Sequence, residues 1–146
     1  APCDSLRVGR IDGYFLRTAG HDIPAEGKSA WALEADEMRA LLRDASSSSL
    51  VMVDELGRGT SSRDGAAVAG ALLEVLDQKG CVGVFSTHLH ELLDLPLELS
   101  PRVVRRRMGF EWDESVSALG GVKAPRWTYM VEEGVCRDSL ALVTAR

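Results

Sequence analysis

The chain is short of several things at once. Its three cysteines, Cys3, Cys81 and Cys136, stand far apart without the paired spacing of a zinc site, and a reduced compartment follows as the simplest expectation. Cys81 opens an apolar run and reads as a small buried hydrophobe. No apolar stretch is long enough to span a bilayer, and the amino end lacks a signal peptide's charged start and apolar middle, so no membrane partner is expected. A basic excess is missing too. The net charge of -5 argues against a sequence-independent grip on phosphate backbones by the whole surface. No internal repeat is present, and no G-x-x-x-x-G-K-[ST] string occurs among the 146 residues. The first residue is Ala1 instead of Met, which suggests a processed or excised piece.

What is there is organised around residues 50 to 60, Leu-Val-Met-Val-Asp-Glu-Leu-Gly-Arg-Gly-Thr. The apolar run predicts a strand buried on both faces in the middle of a parallel sheet. Alternation along the strand sends Asp54 and Glu55 to different faces, so the two acids take different tasks. That is what a Walker B site requires: one acid for hydrated Mg²⁺ and the next for the attacking water. Gly57 and Gly59 let the backbone turn tightly and approach a ligand. The plain alternative is a strand ending in two solvated acids before a glycine turn.

The flanking sequence predicts alternating elements. Residues 6 to 17 read as one or two short strands and a turn, followed by a loop from Thr18 to Gly27. A helix follows Ser29, with Trp31, Ala35, Met38, Leu41 and Leu42 inward and Glu34, Asp36, Glu37, Arg39 and Arg43 outward. Ser46 to Ser49 form a short polar connection. Ser61 with Asp64 resembles a capping box that opens a second helix, ending at Gly80 after Lys79. Residues 81 to 86 predict another buried strand, and strand, helix, strand in this order is a right-handed crossover. Val103 to Trp112 and Arg126 to Val131 predict an antiparallel pair on the sheet edge, and Asp138 or Ser139 caps a last helix. The basic run Arg102, Arg105, Arg106 and Arg107 reads as a solvated strand face, with DNA or a neighbouring subunit as the other reading.

The stretches Asp54 to Ser61, Asp64-Gly65 and Ser86-Thr87-His88 resemble the MutS mismatch-repair ATPases, and the match covers nearly the entire chain. Asp22 to Glu34, residues 86 to 97 and Gly134 to Ala141 resemble more closely the organellar branch of that family in plants and algae. The resemblance implies an α/β fold of the P-loop NTPase, ABC-type ATPase class. It is a partial domain: a mostly parallel sheet flanked by helices, with an antiparallel edge pair. Residues 1 to 146 then form the carboxyl-terminal portion of the ATPase domain, with the Walker A portion upstream. ATP and Mg²⁺ are the implied cofactors.

By the same resemblance Asp54 holds Mg²⁺ through water, Glu55 positions the hydrolytic water, and His88 contacts the γ-phosphate. Asp64 and Ser29 belong to the contact with the nucleotide site of a second subunit, in a homodimer or a heterodimer. Ser29 at a helix amino end suits an anion contact, with a plain N-cap as its alternative. For His88 the alternative is a helix-capping histidine; His21 and His90 carry no functional assignment. Gly27-Lys28-Ser29 is no P-loop in cis, because Asp22 stands where its first Gly belongs. The implied parent binds mismatched double-stranded DNA through domains outside this chain and couples ATP to switching of that bound state. A mitochondrial or plastid location is implied, with the nucleus as the alternative. Other classes are an ABC transporter or another ABC-type motor, whose Leu-Ser-Gly-Gly-Gln signature is absent here, and a non-catalytic dimerisation module.

Overall fold

The computed structural model describes residues 4–18, 29–113 and 124–138. The chain divides into two compact units, Ala1–Arg102 and Val103–Arg146. The first is a three-stranded parallel sheet in the order β1 (Gly13–Arg17), β2 (Ser49–Asp54), β3 (Val82–Ser86), with α1 (Ala30–Asp44) and α2 (Ser62–Lys79) as crossovers. The apolar run therefore is the middle strand, as its sequence predicts. Phe15 pairs in register with Val51 and Phe85 with Val53, and the residues that pack with them come from both helices: Leu41 of α1, and Ala66, Ala69, Leu72 and Leu76 of α2.

The expectation of burial on both faces is corrected. Val51 and Val53 are buried, but Met52 is exposed, and in β3 Val82 and Val84 are 63% and 66% exposed. Tyr14 and Leu16 continue the same open face on β1. The reason is topological. Strands laid down in sequential order with crossovers of one hand place both helices on one side of the sheet, so a single helical layer covers a single face.

Serines tie the entrance of the sheet. Ser46 and Ser49 donate to the two carboxylate oxygens of Asp12 at 2.5 and 2.9 Å, and these hydroxyls hold its carboxyl below the ordinary aspartate range. The short polar connection thus pins the start of β1 to the start of β2. Helix boundaries follow the capping chemistry. The Ser61 hydroxyl accepts from the Asp64 N–H at 3.2 Å and donates to the Asp64 carboxylate at 2.8 Å, while Gly80 ends α2 in the left-handed conformation at φ 74°. Cys81 donates its thiol to the Ser46 carbonyl at 3.3 Å, and burial pushes that thiol up, as suits an unreactive packing residue. After β3 a 3₁₀ turn, His90–Asp94, leads to Leu95 and Leu97, which pack against the core; an added Cβ on Gly70 of α2 would lie 2.9 Å from the Leu97 side chain.

The second unit contains β4 (Arg106–Asp113) and β5 (Ala124–Glu133), paired antiparallel. They form a two-stranded sheet of their own instead of extending the parallel sheet. Phe110 meets Trp112 and Trp127 edge-on at 5.4 and 5.9 Å, and the register places Arg106 opposite Glu133 and Arg107 opposite Glu132, with ion pairs at 3.1 and 3.0 Å. Arg102, in the first unit, donates to the Asp77 carbonyl at 2.9 Å. The basic run is thus partly spent on intramolecular pairs. The expected last helix, His21, Gly27-Lys28 and most of the loop around residues 115 to 125 lie outside the described residues.

Candidate nucleotide-hydrolysis site at the strand ends

Parallel strands place their carboxyl ends side by side, and here those of β2 and β3 carry the acids and the histidine. Asp54 is the last residue of β2 and pairs in register with Ser86, the last residue of β3. The Ser86 hydroxyl donates to Asp54 Oδ1, fixing one oxygen of an otherwise exposed carboxylate. Glu55 takes one more ladder bond, its N–H donating to the Ser86 carbonyl at 3.0 Å, and then leaves the strand at φ 50°. A left-handed conformation in a residue with a Cβ costs about 1–2 kcal/mol. The separation of the two acids therefore comes from this turn, and not from strand alternation as the sequence pattern suggests. Such local strain is held where surrounding contacts over-determine it.

Two side chains do so here. Arg58 Nη1 lies 2.5 Å from Glu55 Oε2, and His88 Nδ1 lies 3.5 Å from Glu55 Oε1. Thr87 fixes the histidine's own loop by accepting from the Leu89 N–H at 3.0 Å. Arg58 thus occupies one oxygen of the carboxylate and His88 stands beside the other. The glycines also seat the loop against its neighbours. An added Cβ on Gly57, at φ 91°, would lie 2.7 Å from Gly65 Cα in α2, and one on Gly59 would lie 3.1 Å from the backbone of Trp31 in α1. The loop after Glu55 is seated against the first turns of both helices.

Ser29 and Asp64 lie at those helix starts. Ser29 caps α1, accepting from the Ala32 N–H at 3.2 Å. Capping uses an oxygen lone pair, so the same hydroxyl retains a proton to donate to an anion. The Asp64 carboxylate serves its own cap, as described above. No hydrogen bond or ion pair among the described residues joins either of them to Asp54, Glu55 or His88. The structure gathers three of the five expected residues into one cluster and sets the other two on the helices that flank its loop.

Sequence reasoning missed Ser86, Arg58 and, above all, Glu34. Expected on the solvent face of α1, Glu34 is 2% exposed; it accepts from Arg17 Nη2 at 2.8 Å and from the Gly57 N–H at 3.1 Å. The signal was present. Trp31, Glu34, Met38 and Leu41 recur at intervals of three and four, which places Glu34 inside the apolar stripe.

No group of three or more His, Cys, Asp or Glu side chains among the described residues forms a cage. A single hard carboxylate at a strand end fits a hydrated Mg²⁺ shared with substrate phosphates, which is how that ion is usually held. No helix among the described residues is long and apolar enough to cross a membrane.

A parallel α/β unit with an acidic pair where its middle strand ends, and a histidine after the neighbouring strand, fits the partial P-loop ATPase domain that the family match gives. The sequence matches MutS domain V over residues 1–146, and the chain belongs to the MutS family. It is 38% identical over 145 residues to the protein named DNA mismatch repair protein MSH1, mitochondrial, of Arabidopsis thaliana, covering 99% of this chain and 12% of that one. Two bacterial proteins named DNA mismatch repair protein MutS match over 66% of the chain. That of Anaeromyxobacter sp. (strain Fw109-5) is 46% identical over 98 residues, 11% of its length, and that of Thermus thermophilus is 42% identical over 96 residues, 12% of its length. The chain thus spans about a tenth of the length of the curated relatives it matches.

Proposed function

We propose that this chain is the carboxyl-terminal portion of the ATPase domain of a DNA mismatch-repair protein, in which ATP hydrolysis between two subunits switches the state bound to mispaired DNA. The observation that carries the reading is the convergence of Asp54, Glu55 and His88 at the carboxyl ends of β2 and β3. Asp54 would hold Mg²⁺ through water, its orientation set by the Ser86 hydroxyl. The ion supplies charge neutralisation on the phosphates. Glu55 orients the attacking water and accepts its proton once Arg58 releases the carboxylate, and His88 reports the γ-phosphate. Ser29 and Asp64 act on the nucleotide of the other subunit. The exposed apolar face of Tyr14, Leu16, Met52, Val82 and Val84 supports a larger parent domain, since parallel sheets are covered on both faces. The Walker A portion and the mismatch-reading domains belong to that parent, upstream of these residues. Similarity to a mitochondrial relative supports an organellar location.

The subunit arrangement is testable by mixing. Parent proteins carrying Ser29→Ala or Glu55→Gln are each expected to be deficient in ATP turnover. In a mixed dimer one site receives both defects and the other neither. Random exchange makes half the dimers mixed, each with at most one intact site of two, so turnover should rise above the mean of the two variants, to at most about a quarter of wild type. Turnover no higher than the mean of the two variants contradicts action of Ser29 across the interface.

A further inference from the structure

The buried Arg17, Glu34 and Gly57 contacts have no part in the reaction just outlined. Arg17 ends β1, is 7% exposed, and reaches Glu34 of α1; the same Glu34 oxygen takes the N–H of Gly57, two residues beyond Glu55. As a source of stability the arrangement is poor. Glu34 Oε2 is buried without a hydrogen-bond partner, and Arg17 Nε lies 2.7 Å from Glu37 Oε2 but outside hydrogen-bond geometry. A buried ion pair with unsatisfied atoms contributes less than apolar residues of the same volume would. Its geometry, however, is specific. Glu34 sits one and a half turns from Ser29 on α1, and it fixes the backbone that follows Glu55. Gly59 closes the same joint from the other side, its backbone against Trp31 in the first turn of α1.

We propose that Glu34 is a positioning residue that makes the helix bearing Ser29 and the loop bearing Glu55 one mechanical piece, so that a nucleotide contact at Ser29 on one subunit sets the water-activating carboxylate of that same subunit. Arg17 keeps Glu34 aimed. The proposal rests on the ATPase reading above and adds to it a route between the two nucleotide sites of a dimer. Displacements of the order of 1 Å at a reacting group cost about 100-fold in rate, which gives the coupling its scale.

The test uses the full-length parent protein, with kcat and KM for ATP and the thermal midpoint measured together. Glu34→Ala should lower kcat about 10- to 100-fold with KM within about two-fold. Glu34→Gln retains a carbonyl oxygen for the Gly57 N–H and should recover kcat to within about three-fold of wild type. The decisive readout is a double-mutant comparison. If the two residues act as one piece, adding Ser29→Ala to Glu34→Ala should lower kcat by about a third or less of the factor it costs alone. Factors that multiply, or a Gln variant as damaged as Ala, overturn the proposal. Where Glu34→Ala does not fold, Gly59→Ala, which wedges the loop away from Trp31, takes its place under the same criterion. No ATP turnover in the wild-type parent would refute the ATPase reading itself, and wild-type turnover in Glu55→Gln controls would move water activation to another residue, the proposal falling in either case; impaired controls with multiplying factors refute the positioning role alone.

Discussion

Glu55→Gln in the parent protein is expected to lower ATP turnover at least about 100-fold while nucleotide affinity stays within about two-fold of wild type. The substitution preserves side-chain shape and the left-handed turn at φ 50°, so the loop remains as it is. It removes the negative charge that Arg58 pairs with at 2.5 Å and the basicity that proton acceptance needs. Binding contacts to phosphate, made elsewhere, are left in place. Steady-state kinetics alongside equilibrium titration of nucleotide distinguish the two effects. Turnover within about ten-fold of wild type would move water activation to another residue.

Gly57→Ala is expected to cost about 3 kcal/mol of stability, measured by equilibrium urea unfolding. Two costs add: about 1–2 kcal/mol for a Cβ at positive φ, and about 1–3 kcal/mol for overpacking against the Gly65 backbone 2.7 Å away. Gly59→Ala provides the internal comparison. Its added Cβ meets Trp31 at 3.1 Å and carries no positive φ, so about 1 kcal/mol is expected there. A Gly57→Ala loss below about 1 kcal/mol would mean that the loop parts easily from α2 and is not seated as described.

Local rules made much of the first unit legible. Ser29 and Ser61 as N-caps, Gly80 as a stop and the apolar run of residues 50 to 53 each act within a few residues, and each marks an element boundary correctly. Burial was not legible from composition alone. The apolar residues of β3 look like core, but which layer covers a strand depends on crossover hand and strand order, which no short window contains. For the same reason Ser86 could not be matched to Asp54, since their meeting depends on register between strands 32 residues apart in sequence. Glu34 is a different case. Its charge points to solvent while its spacing points inward, and a buried Arg17 from β1 supplies the partner that makes a carboxylate tolerable in the stripe. The site residues are expected from the family string because the string itself is specific; the contacts around them needed the fold.

Hydrolysis at these strand ends is expected to answer to mispaired DNA. The direct measurement is ATP turnover by the parent protein on matched duplex and on the same duplex with one mismatch, for wild type and Glu55→Gln. Turnover that differs about five-fold or more between the two duplexes in wild type, and collapses on both in the variant, is the predicted result. Equal wild-type turnover on both duplexes, with Glu55 still required, would contradict the repair function and leave only the ATPase chemistry.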